Sequence, residues 1–227
     1  MSAPAVFRTK QNRSRGARAG TPTRVQFTAY ERMFEYFNRA LFANTLPACL
    51  LNFSRKARTY GFFAPQRWQG RSEEVRHEIS LNPSTLRSRQ PIEVASTLVH
   101  EMVHLWQQDF GRPSRRGYHN AEWASKMDDV GLTPSSTAAP GGARVGQLVS
   151  HYIAKGGRFE QAFVAMPAEY LLPWSCEEPE EGRGKTTRSR NKLKYTCPGC
   201  ATNVWGKPGL DILCADCDQR FVEEDAF

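Results

Sequence analysis

The sequence predicts an α+β protein, with helices packed on a small antiparallel sheet and a short separate module at the C-terminus. Three observations carry that expectation. Two segments, 28–47 and 91–110, place apolar residues at helical spacing. Three short aliphatic and aromatic segments lie between them, divided by turn residues, and suit strands. Four cysteines in two tight pairs mark the end of the chain, in a stretch too short to bury a core of its own. At 227 residues the chain accommodates one medium domain and a small module.

The start of the chain is a basic tail. Residues 1–25 hold Arg8, Lys10, Arg13, Arg15, Arg18 and Arg24 with no acid, and residues 183–194, "RGKTTRSRNKLK", again hold six bases and no acid. Removing these two segments from the net charge of +8 leaves −4 for the rest, and Arg outnumbers Lys 23 to 8. Such arms suit a phosphate backbone, because guanidinium groups offer forked donors and binding releases counterions. DNA is therefore an expected partner, set against the plainer use of charged tails as solubilising segments. No run of eighteen apolar residues exists, so no membrane span is expected. The first residues lack the apolar stretch of a secretory signal, which points to an intracellular, cytoplasmic protein, nucleoid-associated in a bacterium; the Arg-rich start leaves an organelle presequence open.

Next, "TAYERMFEYFNRALFANTLP" aligns Tyr30, Met33, Phe34, Phe37, Leu41 and Phe42 on one helical face, with Thr28 as N-cap and Pro47 as stop. "CLLNFSRK", "TYGFFAPQRW" and "EVRHEISLNP" form the antiparallel strand group. A 20-residue helix from Pro91 to Phe110 follows, with proline at its first position, Gly111 at its end, and Ile92, Ala95, Val99, Met102, Val103 and Trp106 as the buried stripe. "GRPSRRGY" is a loop, after which Asn120 caps a helix bearing Trp123, Met127 and Val130. "TPSSTAAPGGARVG" is a connection, and "QLVSHYIAKGGRFEQAFVAM" resumes packed structure compatible with strands or a short helix. The expected organisation is a disordered basic tail over 1–25, a main domain over 26–172, a charged linker over 173–194 and a cysteine module over 195–227.

The chemistry lies in "TLVHEMVHLWQQDFGRPSRRGYHNAEW", residues 97–123, which holds three of the five histidines. An α-helix turns once per 3.6 residues, so His100 and His104 project from one face about 6 Å apart along the axis. That separation lets both imidazoles reach one Zn²⁺ at about 2 Å each. Glu101 neighbours the metal face without being a ligand, placed to take a proton from water whose pKa the metal lowers. Each part of the H-E-x-x-H pattern thus has a mechanical role. The plain alternative, an amphipathic helix with two partly exposed histidines, leaves Glu101 without a use. No glycine stands three residues after His104, which excludes the metzincin extension. Two residues remain for a third ligand. His119 precedes the Asn120 cap, and Glu122 falls in the next helical turn, where the helix dipole already accounts for a carboxylate. Spacing favours His119. His77 and His151 read as structural, although the "SHYIAKGG" stretch around His151 can pack near the cleft, and Trp106, Trp123 and Phe110 read as core.

"TLVHEMVH", the step to "HNAEW", the upstream "ISLNP" and the helix end "LFANTLP" together resemble the SprT family of zinc metalloproteases over about residues 30–130. The eukaryotic members of that family, the Spartan proteases, degrade proteins trapped covalently on DNA, a DNA-repair role. The resemblance implies a zincin-like fold, metal ligands at His100, His104 and His119, and a catalytic glutamate at Glu101. Tyr118 and Asn120 stand where the family usually has glycines around the third histidine.

Cys197-Pro-Gly-Cys200 and Cys214-Ala-Asp-Cys217 are separated by thirteen residues. Each C-x-x-C turns two thiolates the same way, and two such turns complete a tetrahedral Cys₄ zinc ribbon of the kind also typical of bacterial SprT proteins. A metal there supplies folding energy. Residues 195–227 sum to −4, so nucleic-acid contact is expected from the 183–194 arm with Trp205 or Tyr195. Cys49 and Cys176 read as isolated thiols. The expectation is a zinc metalloendopeptidase with one catalytic and one structural Zn²⁺, acting on DNA-bound proteins. The competing one is a non-enzymatic zinc-containing DNA-binding or regulatory protein, in which Glu101 has no base to serve as.

Overall fold

The computed structural model describes residues 20–176 and 193–224. Both basic arms fall almost wholly outside these residues. The chain divides into two compact units between Glu177 and Glu178. The first is mixed α+β, with four helices and small sheets. No helix among the described residues is long and apolar enough to cross a membrane.

Helix α1 spans Pro22–Phe42. It starts earlier than the apolar pattern suggests: Thr21, not Thr28, is the N-cap residue, because Pro22 supplies a preset helical φ at the first position. Its apolar stripe, Tyr30 to Phe42, is buried as expected. The exit turn is secured by buried Asn38. Its amide donates to the Leu46 carbonyl at 3.1 Å and accepts from the Leu46 N–H at 3.1 Å.

Strands β1 (Leu50–Phe53), β2 (Gly61–Gln69) and β3 (Val75–Leu81) form a sheet ordered β1-β3-β2. The sheet is mixed, which corrects the antiparallel expectation: β2 and β3 are antiparallel, but β1 runs parallel to β3. The 54–60 loop crosses the end of β3 to start β2 on its far side. Asn82, just past β3, pins that crossing by donating to the carbonyls of Lys56 at 3.1 Å and Thr59 at 2.9 Å. Among the described residues, β2, like β1 on the opposite side, is an edge strand.

Helix α2 spans Pro91–Phe110, as expected, with a capping box between Gln90 and Glu93. It is buried nearly all round rather than along one stripe, since Val94 to Val99, Glu101 to Val103, Leu105 and Gln107 are all enclosed. Gly111 at its end is extended, not left-handed, so conformational freedom does not explain it. A Cβ there would meet the Glu122 carboxylate at 2.6 Å, so glycine permits that close approach. Helix α3 (Ala121–Val130) is capped by Asn120, whose side chain accepts from the Trp123 N–H. Gly131 ends it at φ +91. A hairpin of β4 (Leu132–Ser135) and β5 (Ser150–Ile153) follows, then α4 (Arg158–Ala165). The 147–166 stretch is therefore a strand and then a helix. Phe159 of α4 is fully buried and stacks on Phe37 at 5.6 Å.

The second unit carries β6 (Leu193–Thr196), β7 (Asn203–Gly206), β8 (Leu213–Cys214), β9 (Gln219–Arg220) and β10 (Val222–Glu224). A three-stranded sheet ordered β10-β6-β7 and a β8-β9 hairpin result. Tyr195 is buried, its hydroxyl donating to the Lys207 carbonyl at 2.6 Å, so it is unavailable for stacking. Trp205 remains 63% exposed.

Two substitutions separate the caps that act from those that do not. Asn38→Ala orphans a buried N–H and C=O and should cost about 2 kcal/mol in urea unfolding. Thr28→Ala lies inside α1 and should change stability by less than about 0.5 kcal/mol.

Candidate metal centre

The structure brings His100, His104 and His119 together, each offering a nitrogen, with all three nitrogens within 4.8 Å of one another. His100 and His104 stand one turn apart on α2, their ring centroids 5.1 Å apart, and His119 lies 5.5 and 4.9 Å from them. Trp123 forms the floor, its ring 4.2 to 5.3 Å from all three imidazoles. It is core, as read from the sequence, but core that supports the site. Trp106 is partly buried against the core, whereas Phe110 is 55% exposed, contrary to expectation.

His119 comes from the loop, and a set of hydrogen bonds returns it to α2. Buried Gln107 donates one amide hydrogen to Asn120 Oδ1 at 2.7 Å and the other to Glu122 Oε2 at 2.8 Å. The Arg112 N–H donates to the same Glu122 carboxylate at 2.6 Å, and Asn120 donates to the Arg112 carbonyl. Glu122 is thus occupied in closing the loop, and its carboxyl is held below its ordinary value, first by the Arg112 N–H and then by Gln107. Glu122, the alternative third ligand, is not among the residues that cluster with His100 and His104. On its other side His119 pairs with Gly146 through both backbone bonds, at 2.8 and 3.0 Å, and its Nδ1 lies 3.1 Å from the Gly146 carbonyl.

Sequence reasoning placed His151 as structural. The structure sets its Nδ1 3.1 Å from His100 Nδ1 and its Nε2 2.9 Å from Ser96 Oγ. The sequence leaves this stretch open between strand and short helix, so it does not say which side faces α2. His77 is structural: it accepts from the Gln66 N–H and pairs with Asp109 at 3.1 Å. Burial pushes the Cys49 thiol up to about 12, and Arg55 donates to Cys176, so neither isolated cysteine joins a metal cluster among the described residues.

Burial dominates the electrostatics. It holds His100 well below its ordinary value, with the neighbouring imidazoles adding to the effect, and lowers His104 to about 3. His119 is lowered by the same cause, and burial takes His151 down to about 4, with Arg89 adding to the effect. Neutral imidazole is the form that can ligate a metal. Burial also pushes the Glu101 carboxyl up to about 8, against the opposing pull of the Phe63 N–H and of Lys56.

In the second unit Cys197, Cys200, Cys214 and Cys217 offer four sulfurs within 4.8 Å of one another. Cys200 and Cys214 sulfurs are 3.8 Å apart. Bonding with Thr202, first of all, lowers Cys200 to about 6, while the bond to Cys200 pushes Cys217 up to about 12. Four thiols packed this closely cannot all ionise without a cation among them. Both clusters are candidate metal-binding groups by donor chemistry and spacing.

The metal-free protein should be most stable near pH 6.5. Between about pH 4.5 and 6.5 the unfolded chain takes up protons on His104 and His151 that the folded chain refuses, while folded Glu101 keeps one that the unfolded chain gives up. His100, held well below its ordinary value by burial, adds to these two, so the buried histidines outweigh the one carboxyl and stability falls with acidification. Above 6.5 Glu101 dominates in the first unit, and its stability falls as pH rises toward 8. Urea midpoints of chelator-treated protein should show both slopes, and Glu101→Gln should remove the alkaline one.

Comparison with known proteins places this geometry in a family. The SprT-like family model matches residues 30–140, which include all three clustered histidines and Glu101. A protein of Salmonella typhimurium described as an uncharacterized protein in mucB 3'region is 40% identical over 50 residues, 22% of this chain and 68% of the relative. The chain belongs to the SprT-like family.

Proposed function

We propose that this chain is a zinc-dependent metalloendopeptidase of the SprT type, with a zincin-like catalytic unit and a Cys₄ zinc ribbon, acting on proteins bound to DNA. The observation that carries the reading is the pairing of three convergent neutral imidazoles with a buried carboxyl, Glu101, that is not among them. A site that held a metal for stability alone would have no use for that carboxyl.

His100, His104 and His119 would hold the catalytic Zn²⁺, and Cys197, Cys200, Cys214 and Cys217 the structural one. Bound at the imidazoles, zinc supplies Lewis acidity that acidifies water and polarises a peptide carbonyl. Glu101 is the base: it takes the proton of the attacking water and passes it to the leaving amine. Its raised proton affinity strengthens it as the base of the first step, and Lys56 and the Phe63 N–H favour the ionised form that step needs. The Phe63 contact also sets β2 beside Glu101. As an edge strand of its sheet, β2 can pair an extended peptide through backbone bonds.

Two features support nucleic-acid proximity. The basic arms at 1–25 and 183–194 supply phosphate-binding charge. The 54–60 loop presents Arg55, Lys56 and Arg58, all exposed, and Lys56 lies close enough to Glu101 to bias its ionisation.

Wild-type protein should hold two zinc equivalents and His119→Ala one. Glu101→Gln should keep both metals and lose peptide-bond cleavage by at least about 100-fold. Equal cleavage by Glu101→Gln and wild type, assayed with and without single-stranded DNA, would reject the peptidase reading in favour of a zinc-containing binding protein. Removing residues 1–25 and neutralising the bases of 183–194 should weaken DNA binding in fluorescence anisotropy and flatten its salt slope. Unchanged binding would reject the DNA partner alone.

A further inference from the structure

We propose that His151, backed by Ser96, is the positioning residue that sets the ring orientation and tautomer of His100 and so determines whether the imidazole trio can grip its metal. The proposal rests on the metal-site reading above and names a residue outside the H-E-x-x-H stretch and outside the residues that the family model matches.

The geometry is a chain of four groups. Nδ1 of His100 lies 3.1 Å from Nδ1 of His151, Nε2 of His151 lies 2.9 Å from Ser96 Oγ, and Ser96 Oγ lies 2.9 Å from the Glu93 carbonyl. A carbonyl only accepts, so the Ser96 hydroxyl spends its single proton on Glu93. Ser96 Oγ must then accept from His151, which places the His151 proton on Nε2. Two ring nitrogens 3.1 Å apart hold one proton between them, because two N–H groups at that distance would repel. With His151 Nδ1 bare, the shared proton belongs to His100 Nδ1. His100 Nε2 is therefore left with an open lone pair, the one available to a metal. If the chain ran the other way, His100 Nε2 would carry the proton and be closed to a metal.

His151 sits on β5 and Ser96 on α2 one turn before His100, so the relay fixes the ring from two elements at once. The pattern repeats at His119, where the Nδ1 contact with the Gly146 carbonyl, an acceptor, leaves Nε2 open. Ligand imidazoles held this way bind more tightly because their rings need no ordering on metal binding.

The test uses full-length protein loaded with metal. Chelator competition measures release of each equivalent, and the visible absorption of the Co²⁺-substituted protein reports the geometry at the imidazoles. His151→Ala should release the imidazole-bound equivalent about 10- to 100-fold more readily, with an altered Co²⁺ spectrum. The cysteine-bound equivalent, in the other unit, should be unchanged and serves as the internal control for metal loading. His151→Gln should recover most of the affinity, since a glutamine amide can accept from His100 and donate to Ser96. Ser96→Ala should show a smaller loss than His151→Ala. Wild-type affinity in His151→Ala overturns the relay while leaving the metal site intact. So does a His151→Gln variant as weak as His151→Ala, which would make His151 a direct ligand or a packing residue. A wild-type protein with no imidazole-bound equivalent overturns the metal-site reading itself.

Discussion

The site depends on what Gln107 does with its two amide hydrogens. One goes to Asn120 and one to Glu122, tying the last turn of α2 to the first turn of α3. Arg112 closes the loop from inside, with its N–H on Glu122 and its carbonyl on Asn120. Without that clamp the 112–118 segment would have no reason to bring its end back to the helix it left. With it, His119 is delivered to the face where His100 and His104 already stand, and Trp123 slides beneath all three. Because Gln107 is buried, its bonds are not shared with water, and losing one would strand a polar group. Gly111 belongs to the same device: any side chain there would displace the Glu122 carboxylate.

The two candidate metal-binding groups differ in the charge they would present, and the difference matches the roles proposed for them. Three neutral imidazoles would leave a divalent ion with its charge intact, so it stays an effective Lewis acid beside Glu101. Four sulfurs would cancel that charge and favour a closed structural site. Glu101 supplies a carboxyl near the imidazoles without adding to their ligand set, and burial raises its proton affinity against the standing pull of Lys56 and the Phe63 N–H.

Much of this was legible from residue spacing. Helical periodicity located α2 to the residue, since its proline start and capping box act locally, and the two C-x-x-C turns announced their cluster because each is a local structure. Asn120 was recognisable as a cap for the same reason. What was not legible depended on contacts between distant residues. The parallel pairing of β1 with β3 follows from a loop crossing that Asn82 pins, and periodicity carries no information about strand order. Thr28 looked like a cap because the apolar pattern starts there, whereas Pro22 begins the helix through its own φ. Tyr195 and Phe110 exchanged the exposure expected of them, one buried by bonds to Lys207 and Glu223, the other left at a helix end.

The family match over 30–140 takes in the three clustered imidazoles, yet the contacts that orient two of them come from Gly146 and His151. Motif and orientation thus belong to different stretches of chain. The H-E-x-x-H helix can be written locally, because one helical turn determines where two histidines point. Their ring rotations cannot, because χ2 of a histidine is soft and needs an outside partner to hold it. The β4–β5 hairpin supplies that partner, and it is itself seated by Gly131, whose φ of +91 and close approach to Arg158 and Phe159 exclude a side chain. A segment with no recognisable motif therefore supplies the contacts to the imidazole rings, while the segment with the motif supplies the rings themselves.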